Sequence, residues 1–208
     1  SPYIAIDSYG DGCPATLASF SSDTRAGLAV GPIGNIYFGD TSNQLIRRID
    51  PRSGLISVLV GGAHTICGTA VDKEGDGCPL ANAGNFNNPR GLAADPYGNV
   101  LIAGYGDYLV HIVCNTVSPL CTAAQVGTMR VIAGCTTTTT AFGSATSPTP
   151  SASASQIAGD GTAAVVAGAC SASTVSLYQP RGVSADKWGN VYIGDTGALR
   201  YRVVVGPY

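Results

Sequence analysis

Short apolar runs along the chain are broken every few residues by Gly, Asn, Asp and Pro, and the longest pattern recurs. "RAGLAVGPIGNIYFGDTSNQLIRRID" (25–50), "RGLAADPYGNVLIAGYGDYLVHIVC" (90–114) and "RGVSADKWGNVYIGDTGALRYRVVV" (181–205) share one register. In each, an opening glycine (Gly27, Gly91, Gly182) stands eight residues before the Asn of a Gly-Asn pair (Asn35, Asn99, Asn190). A spacing held three times with matching hydrophobic alternation is an internal repeat.

The pieces read as strands. "GLAV", "GLAAD" and "GVSAD" are short and apolar, and Gly-Asn suits a hairpin turn because both residues tolerate positive φ. "NIYFGD", "NVLIAG" and "NVYIGD" then alternate and are β-branched or aromatic. "QLIRRID", "YLVHIVC" and "LRYRVVV" supply a third strand, and "LISVLVGG" (55–62) and "MRVIAG" (129–134) a fourth. Four antiparallel strands per unit, joined by Gly-rich turns, is the pattern of a β-propeller blade. The predicted fold is all-β with three blades, spanning 1–62, 63–134 and 135–208.

The shared pattern P-x-G-[LV]-x-x-D-x-x-G-N-[VI]-x-[IF]-x-D-T precedes an Arg-bearing strand, and each unit is led by "GDG" (10–12, 75–77, 159–161). On these motifs the chain resembles the NHL-repeat β-propeller family. The resemblance implies propeller blades and leaves function open, since the architecture serves binding, enzymatic and structural roles. The middle copy departs at Gly104, where the others have Asp40 and Asp195.

The last copy stops after a third strand, whereas "YIAI" (Tyr3, Ile4, Ala5, Ile6) falls where fourth strands fall, just ahead of "GDG". Three blades do not comfortably close a ring. The expectation is strand exchange between chains, with Tyr3 to Ile6 as donor and Arg200, Tyr201, Arg202, Val203, Val204 and Val205 as acceptor edge. Such head-to-tail contacts give closed rings or open filaments.

Composition narrows the setting. Charged residues make up 12% of the chain against roughly a quarter in an ordinary domain, with 45% hydrophobic residues and a net charge of -2. No basic cluster offers phosphate contacts, so nucleic acid is not an expected partner. No apolar run reaches membrane-spanning length. The chain opens with Ser, which suggests a mature, processed, secreted product at the cell surface or beyond.

Seven cysteines without paired CxxC spacing suggest disulfides rather than zinc. Cys67 and Cys78 sit in one inter-blade connection, Cys135 and Cys170 in the corresponding one a blade later, and Cys114 and Cys121 flank a short loop. Cys13 is left over, either as a free thiol or as an interchain partner.

Between Cys135 and Cys170 lies "TTTTTAFGSATSPTPSASAS" (136–155). In a secreted chain this composition suggests mucin-like glycans, the alternative being a naked linker. No N-x-S/T sequon is present, so attachment would be O-linked, at Thr136, Thr137, Thr138, Thr139, Thr140, Ser144, Thr146, Ser147, Thr149, Ser151, Ser153 or Ser155.

Candidate chemistry is sparse. Asp72, Glu74 and Asp76 imitate the opening of a calcium loop, but position twelve is Ala83, and recurring "GDG" suggests turns in which Asp11, Asp76 and Asp160 accept backbone N–H groups. Two histidines, His64 and His111, are too few for a zinc or copper site, with His111 expected as packing. There is no G-x-S-x-G elbow; Asp40 and Asp195 are expected to hold turns, and Arg47, Arg48, Arg200 and Arg202 to pack across neighbouring blades. No catalytic residue, cofactor or metal is expected. The preferred reading is a structural homopolymer in an extracellular, O-glycosylated filament. The alternative is a ligand-binding or enzymatic six-bladed propeller, formed as a dimer or as part of a longer chain.

Overall fold

The computed structural model describes residues 7–21, 25–62, 66–70, 74–135, 165–166 and 177–205, the side chains of Cys135, Val165 and Val166 excepted. Among them the fold is all-β, with helix limited to single 3-10 turns. The first blade is a four-stranded antiparallel sheet of β1 (Leu28–Val30), β2 (Ile36–Asp40), β3 (Leu45–Ile49) and β4 (Ile56–Gly61), in sequence order. The second repeats this with β5 (Pro89–Ala94), β6 (Val100–Gly104), β7 (Leu109–Val113) and β8 (Met129–Cys135). A short β9 (Val165–Val166), which the repeat does not foreshadow, adds to β8 in parallel. The third sheet holds β10 (Pro180–Ala185), β11 (Val191–Asp195) and β12 (Arg200–Val204).

Registers repeat between blades. Tyr37 faces Arg48, Leu101 faces Ile112 and Tyr192 faces Val203. The entry to the third strand is left-handed in all three: Gln44, Tyr108 and Leu199 have φ of 59°, 62° and 54°. At the Gly-Asn turn the glycine takes positive φ and the Asn does not use its tolerance for it. Asn99 instead clasps the turn: its N–H and Nδ2 donate to the two oxygens of Asp95, and its Oδ1 accepts from the N–H groups of Asn115 and Thr116. Asn190 makes the same pair of donations to Asp186. The turn therefore spans Asp to Asn, with the amide filling both ends of the aspartate.

The core lies between blades rather than within them. Ala29, Tyr37, Ile46 and Val60 of the first blade meet Phe86, Leu92, Val100 and Ile102 of the second. The opposite face of the second blade, with Leu101, Val110, Ile112 and Ile132, meets Leu177, Val191 and Ile193 of the third. Successive side chains of one strand thus serve opposite interfaces, as a period of two requires.

Beneath each second strand a buried carboxylate holds the loop leading into the blade. Asp40 accepts the Ser21 N–H at 2.8 Å and Asp195 accepts the Tyr178 N–H at 2.7 Å. The middle blade has Gly104 there, and a Cβ at this glycine would run into the Asp107 carboxylate. Asp107 accepts the Asn87 N–H and so takes over the role from three residues away. In the first blade that later position is Asn43, which donates to Asp40. Gly104→Asp alone would force two carboxylates into one buried space and is expected to cost about 3 kcal/mol or more in urea unfolding. Adding Asp107→Asn rebuilds the first blade's pair and is expected to recover most of that loss; a double variant no better than the single one would contradict the exchange.

Candidate functional site

The middle blade is covered on both sides, and its strands β6 and β7 are buried at every position. The outer blades are each covered on one side. Leu92 is 8% exposed against the first blade, whereas its counterpart Leu28, with no blade before it among the described residues, is 64% exposed. Ile46 and Val110 are fully buried by the blade that follows them, whereas their counterpart Tyr201 is 94% exposed. Val30 extends the first uncovered face, and Tyr192 with its cross-strand partner Val203 the second. The same sequence positions are dry where a neighbouring blade exists and wet where none does.

Three glycines set how closely blades approach. A Cβ at Gly27 would strike the Arg90 carbonyl, and one at Gly91 the Arg181 carbonyl. At Gly182 the nearest atoms lie 3.9 Å away, within its own blade. Gly182 thus keeps the clearance that a further blade needs, and no blade among the described residues occupies it.

Each outer face is backed by a buried ion pair within its own blade. Arg47 reaches Asp11 at 2.6 Å and Asp40 at 3.8 Å, and donates to the carbonyls of Tyr9 and Ser19. Arg202 Nε donates to Asp195 at 2.8 Å. Both arginines were expected to pack across blades; instead they neutralise carboxylates beneath their own strands, because a buried charge must be paired. In the middle blade His111 occupies the same position, 3.5 Å from Asp107 and edge-on to Phe86. The "GDG" aspartates hold the fourth strands where the register slips: Asp11 accepts the Val58 N–H and Asp76 that of Val131. Asp160 lies outside the described residues.

The acceptor positions Arg200 to Val205 fall on and just beyond β12, whose outer edge has no partner strand among the described residues. The donor positions Tyr3 to Ile6 and the glycan candidates from Thr136 to Ser155 lie outside those residues, as do His64 and Asp72. Disulfides join Cys67 to Cys78 and Cys114 to Cys121. The pair Cys135 and Cys170 falls outside the described side chains. Cys13 is a buried free thiol at the place equivalent to Cys78. Among the described residues no three His, Cys, Asp or Glu side chains gather into a metal-binding group, and no helix is long and apolar enough to cross a membrane. The exposed apolar positions escaped the sequence reading, although aligning the repeats and asking which copy lacks a neighbour points to them.

No protein-family model matches the chain, and no curated protein matches it. Among solved structures, a protein of unknown function from Bacteroides thetaiotaomicron VPI-5482 aligns with a TM-score of 0.55 at 14% identity over 91% of this chain and 37% of its own. An auxiliary nutrient binding protein from the same organism aligns at 0.46, with 16% identity over 85% of this chain and 36% of its own. Regucalcin, a calcium-binding protein from Agrobacterium tumefaciens, aligns at 0.35, with 12% identity over 80% and 36%. The chain spans little more than a third of the length of these proteins, and the first likeness is one of fold.

Burial raises the Asp195 carboxyl above the ordinary aspartate range, against the lowering pull of the Tyr178 N–H and Arg202. Hydrogen bonds from the Ser53 and Arg52 N–H groups lower exposed Asp50. A raised folded value means that this group favours the native state below the unfolded range and loses that contribution as pH rises through the folded value. Asp50 acts in the opposite sense. In a carboxyl-carbon NMR titration Asp195 is expected to take up its proton at higher pH than Asp50; the reverse order would contradict this account of the buried pair.

Proposed function

We propose that the chain is a secreted structural protomer that polymerises head to tail into an extracellular filament, the third blade of one copy receiving the first blade of the next. The observation that carries this reading is the exposure of apolar side chains on the two outer blade faces, at positions that are buried wherever a blade adjoins. The occupant follows from the repeat. The blade that docks correctly on β10 to β12 has the shape of a first blade, and the first blade's own uncovered face has the shape that a third blade meets.

Magnitudes decide how much the faces can do alone. Burying about six such side chains at about 2 kcal/mol each is comparable to the roughly 4–15 kcal/mol cost of immobilising a partner. Apolar docking therefore needs a second contribution, and the unpaired edge of β12 supplies it if residues 3–6 of the next copy add as a fourth strand. Two disulfides agree with an oxidising compartment. O-linked sugars on residues 136–155 would coat such a filament, and its role would be mechanical rather than catalytic.

Gly182→Ala separates assembly from folding. Among the described residues the added carbon makes only ordinary van der Waals contact, with Gly194 at 3.9 Å, so urea unfolding of the single chain is expected to stay within about 0.5 kcal/mol. In a filament the same carbon would strike the next copy, and sedimentation is expected to show polymers replaced by single chains. Removing residues 1–7 is expected to do the same. Polymers untouched by both changes, or a discrete dimer indifferent to them, would contradict the proposal.

A further inference from the structure

Phe20, Leu28 and Phe38 line a largely apolar pocket of about 360 Å³ on the outer face of the first blade, with Ala26, Gly27 and Gly39 among its walls. The two phenyl rings meet edge to face at 5.1 Å, and the Asp40 carboxylate, by accepting the Ser21 N–H, fixes the loop that carries Phe20. We propose that this pocket receives Tyr201 of a second copy, and that this one side chain sets which blades pair at the junction between chains. The inference rests on the head-to-tail reading above and adds to it the contact that gives the junction its register.

The two junctions inside the chain identify the occupant. Phe20, Phe86 and Leu177 each precede the residue whose N–H a buried aspartate accepts. The repeat register likewise places Leu92 and Val183 where the first blade has Leu28, and Ile102 and Ile193 where it has Phe38. At each inner junction the preceding blade adds a third-strand residue to this trio. Ile46 shares one buried cluster with Phe86, Leu92 and Ile102, and Val110 shares another with Leu177, Ile193 and the partly buried Val183. Tyr201 holds the same third-strand position in the last blade and is almost fully exposed, while Phe20 and Leu28 of the first blade are exposed and Phe38 is half-buried.

Size distinguishes the outer junction from the inner ones. Ile46 and Val110 are compact aliphatic side chains, whereas Tyr201 carries a long ring. On the receiving side Ala26 stands where the other blades carry Arg90 and Arg181 at a one-residue bulge, so the first blade offers a wider opening. A large knob and a wide pocket thus occur at opposite ends of one chain. Tyrosine overfills the space that Ile46 or Val110 occupies, and those residues underfill the outer pocket, which favours pairing of a third blade with a first blade over other pairings. Ser21 in the pocket lining supplies a hydroxyl for the phenol O–H, which a buried tyrosine requires. A polar contact repeats as well: Thr41 Oγ1 donates across the first junction to the Pro89 carbonyl at 2.9 Å, and the third blade carries the same threonine as Thr196.

The test replaces Tyr201 in the intact chain with p-benzoylphenylalanine, a photoreactive residue of similar shape, and maps the cross-links of irradiated polymers by mass spectrometry. Links between chains are expected at Phe20, Leu28 or Phe38. Tyr201→Val gives the third blade the side chain of the middle one, and sedimentation is expected to show the concentration needed for polymers raised about tenfold or more. Tyr201→Phe keeps the ring and is expected to fall between this variant and the parent. Because Tyr201 is exposed in the single chain, unfolding curves of both variants are expected to overlay the parent's. Polymers that cross-link elsewhere, or that form from Tyr201→Val as readily as from the parent, would overturn the pocket assignment and leave head-to-tail assembly standing. The absence of polymers from the parent chain would overturn both.

Discussion

A blade built from a twisted sheet whose strands alternate with a period of two has two apolar faces, and each needs a cover. That requirement governs this molecule. The middle blade meets it on both sides and is buried throughout, while the first and third meet it on one side each. Among the described residues the buried apolar side chains lie in the two layers between blades. A molecule organised in this way gains stability with every blade added, which is the behaviour of stacked repeats.

The polar interior follows from the same geometry. Stacking leaves loop N–H groups and slipped fourth strands out of reach of water, and buried aspartates satisfy them. A buried aspartate in turn needs a polar partner nearby, and the third strand places Arg47, His111 or Arg202 at one equivalent position. The close approach of first strands at Gly27 and Gly91 completes the set, since a side chain there would hold the blades apart.

Much of this was legible in the chain. Strand positions, the three units and the "GDG" turns followed from alternation and glycine spacing, because they are local. Two of the three suggested cysteine pairs, Cys67 with Cys78 and Cys114 with Cys121, are likewise close in sequence and are joined. What escaped was three-dimensional substitution. Gly104 read as a lost aspartate because its replacement, Asp107, enters the same space from another residue. Arg90 and Arg181 went unnoticed for a related reason: the one-residue bulges that carry them cannot be told from ordinary alternation without the partner strand. The arginines of the third strands were misplaced because sequence shows a charge but not the carboxylate beneath it.

Assembly through uncovered blade faces and a shared strand joins these observations into one account. Its most direct test is electron cryomicroscopy of native assemblies at a resolution that traces the strand beside β12. The account predicts a strand formed by Tyr3 to Ile6 of the adjacent copy, hydrogen-bonded to Arg200–Val204, with Leu28 of that copy packed against the third blade. A β12 edge paired with its own chain's residues 3–6, or left facing solvent within the assembly, would contradict it.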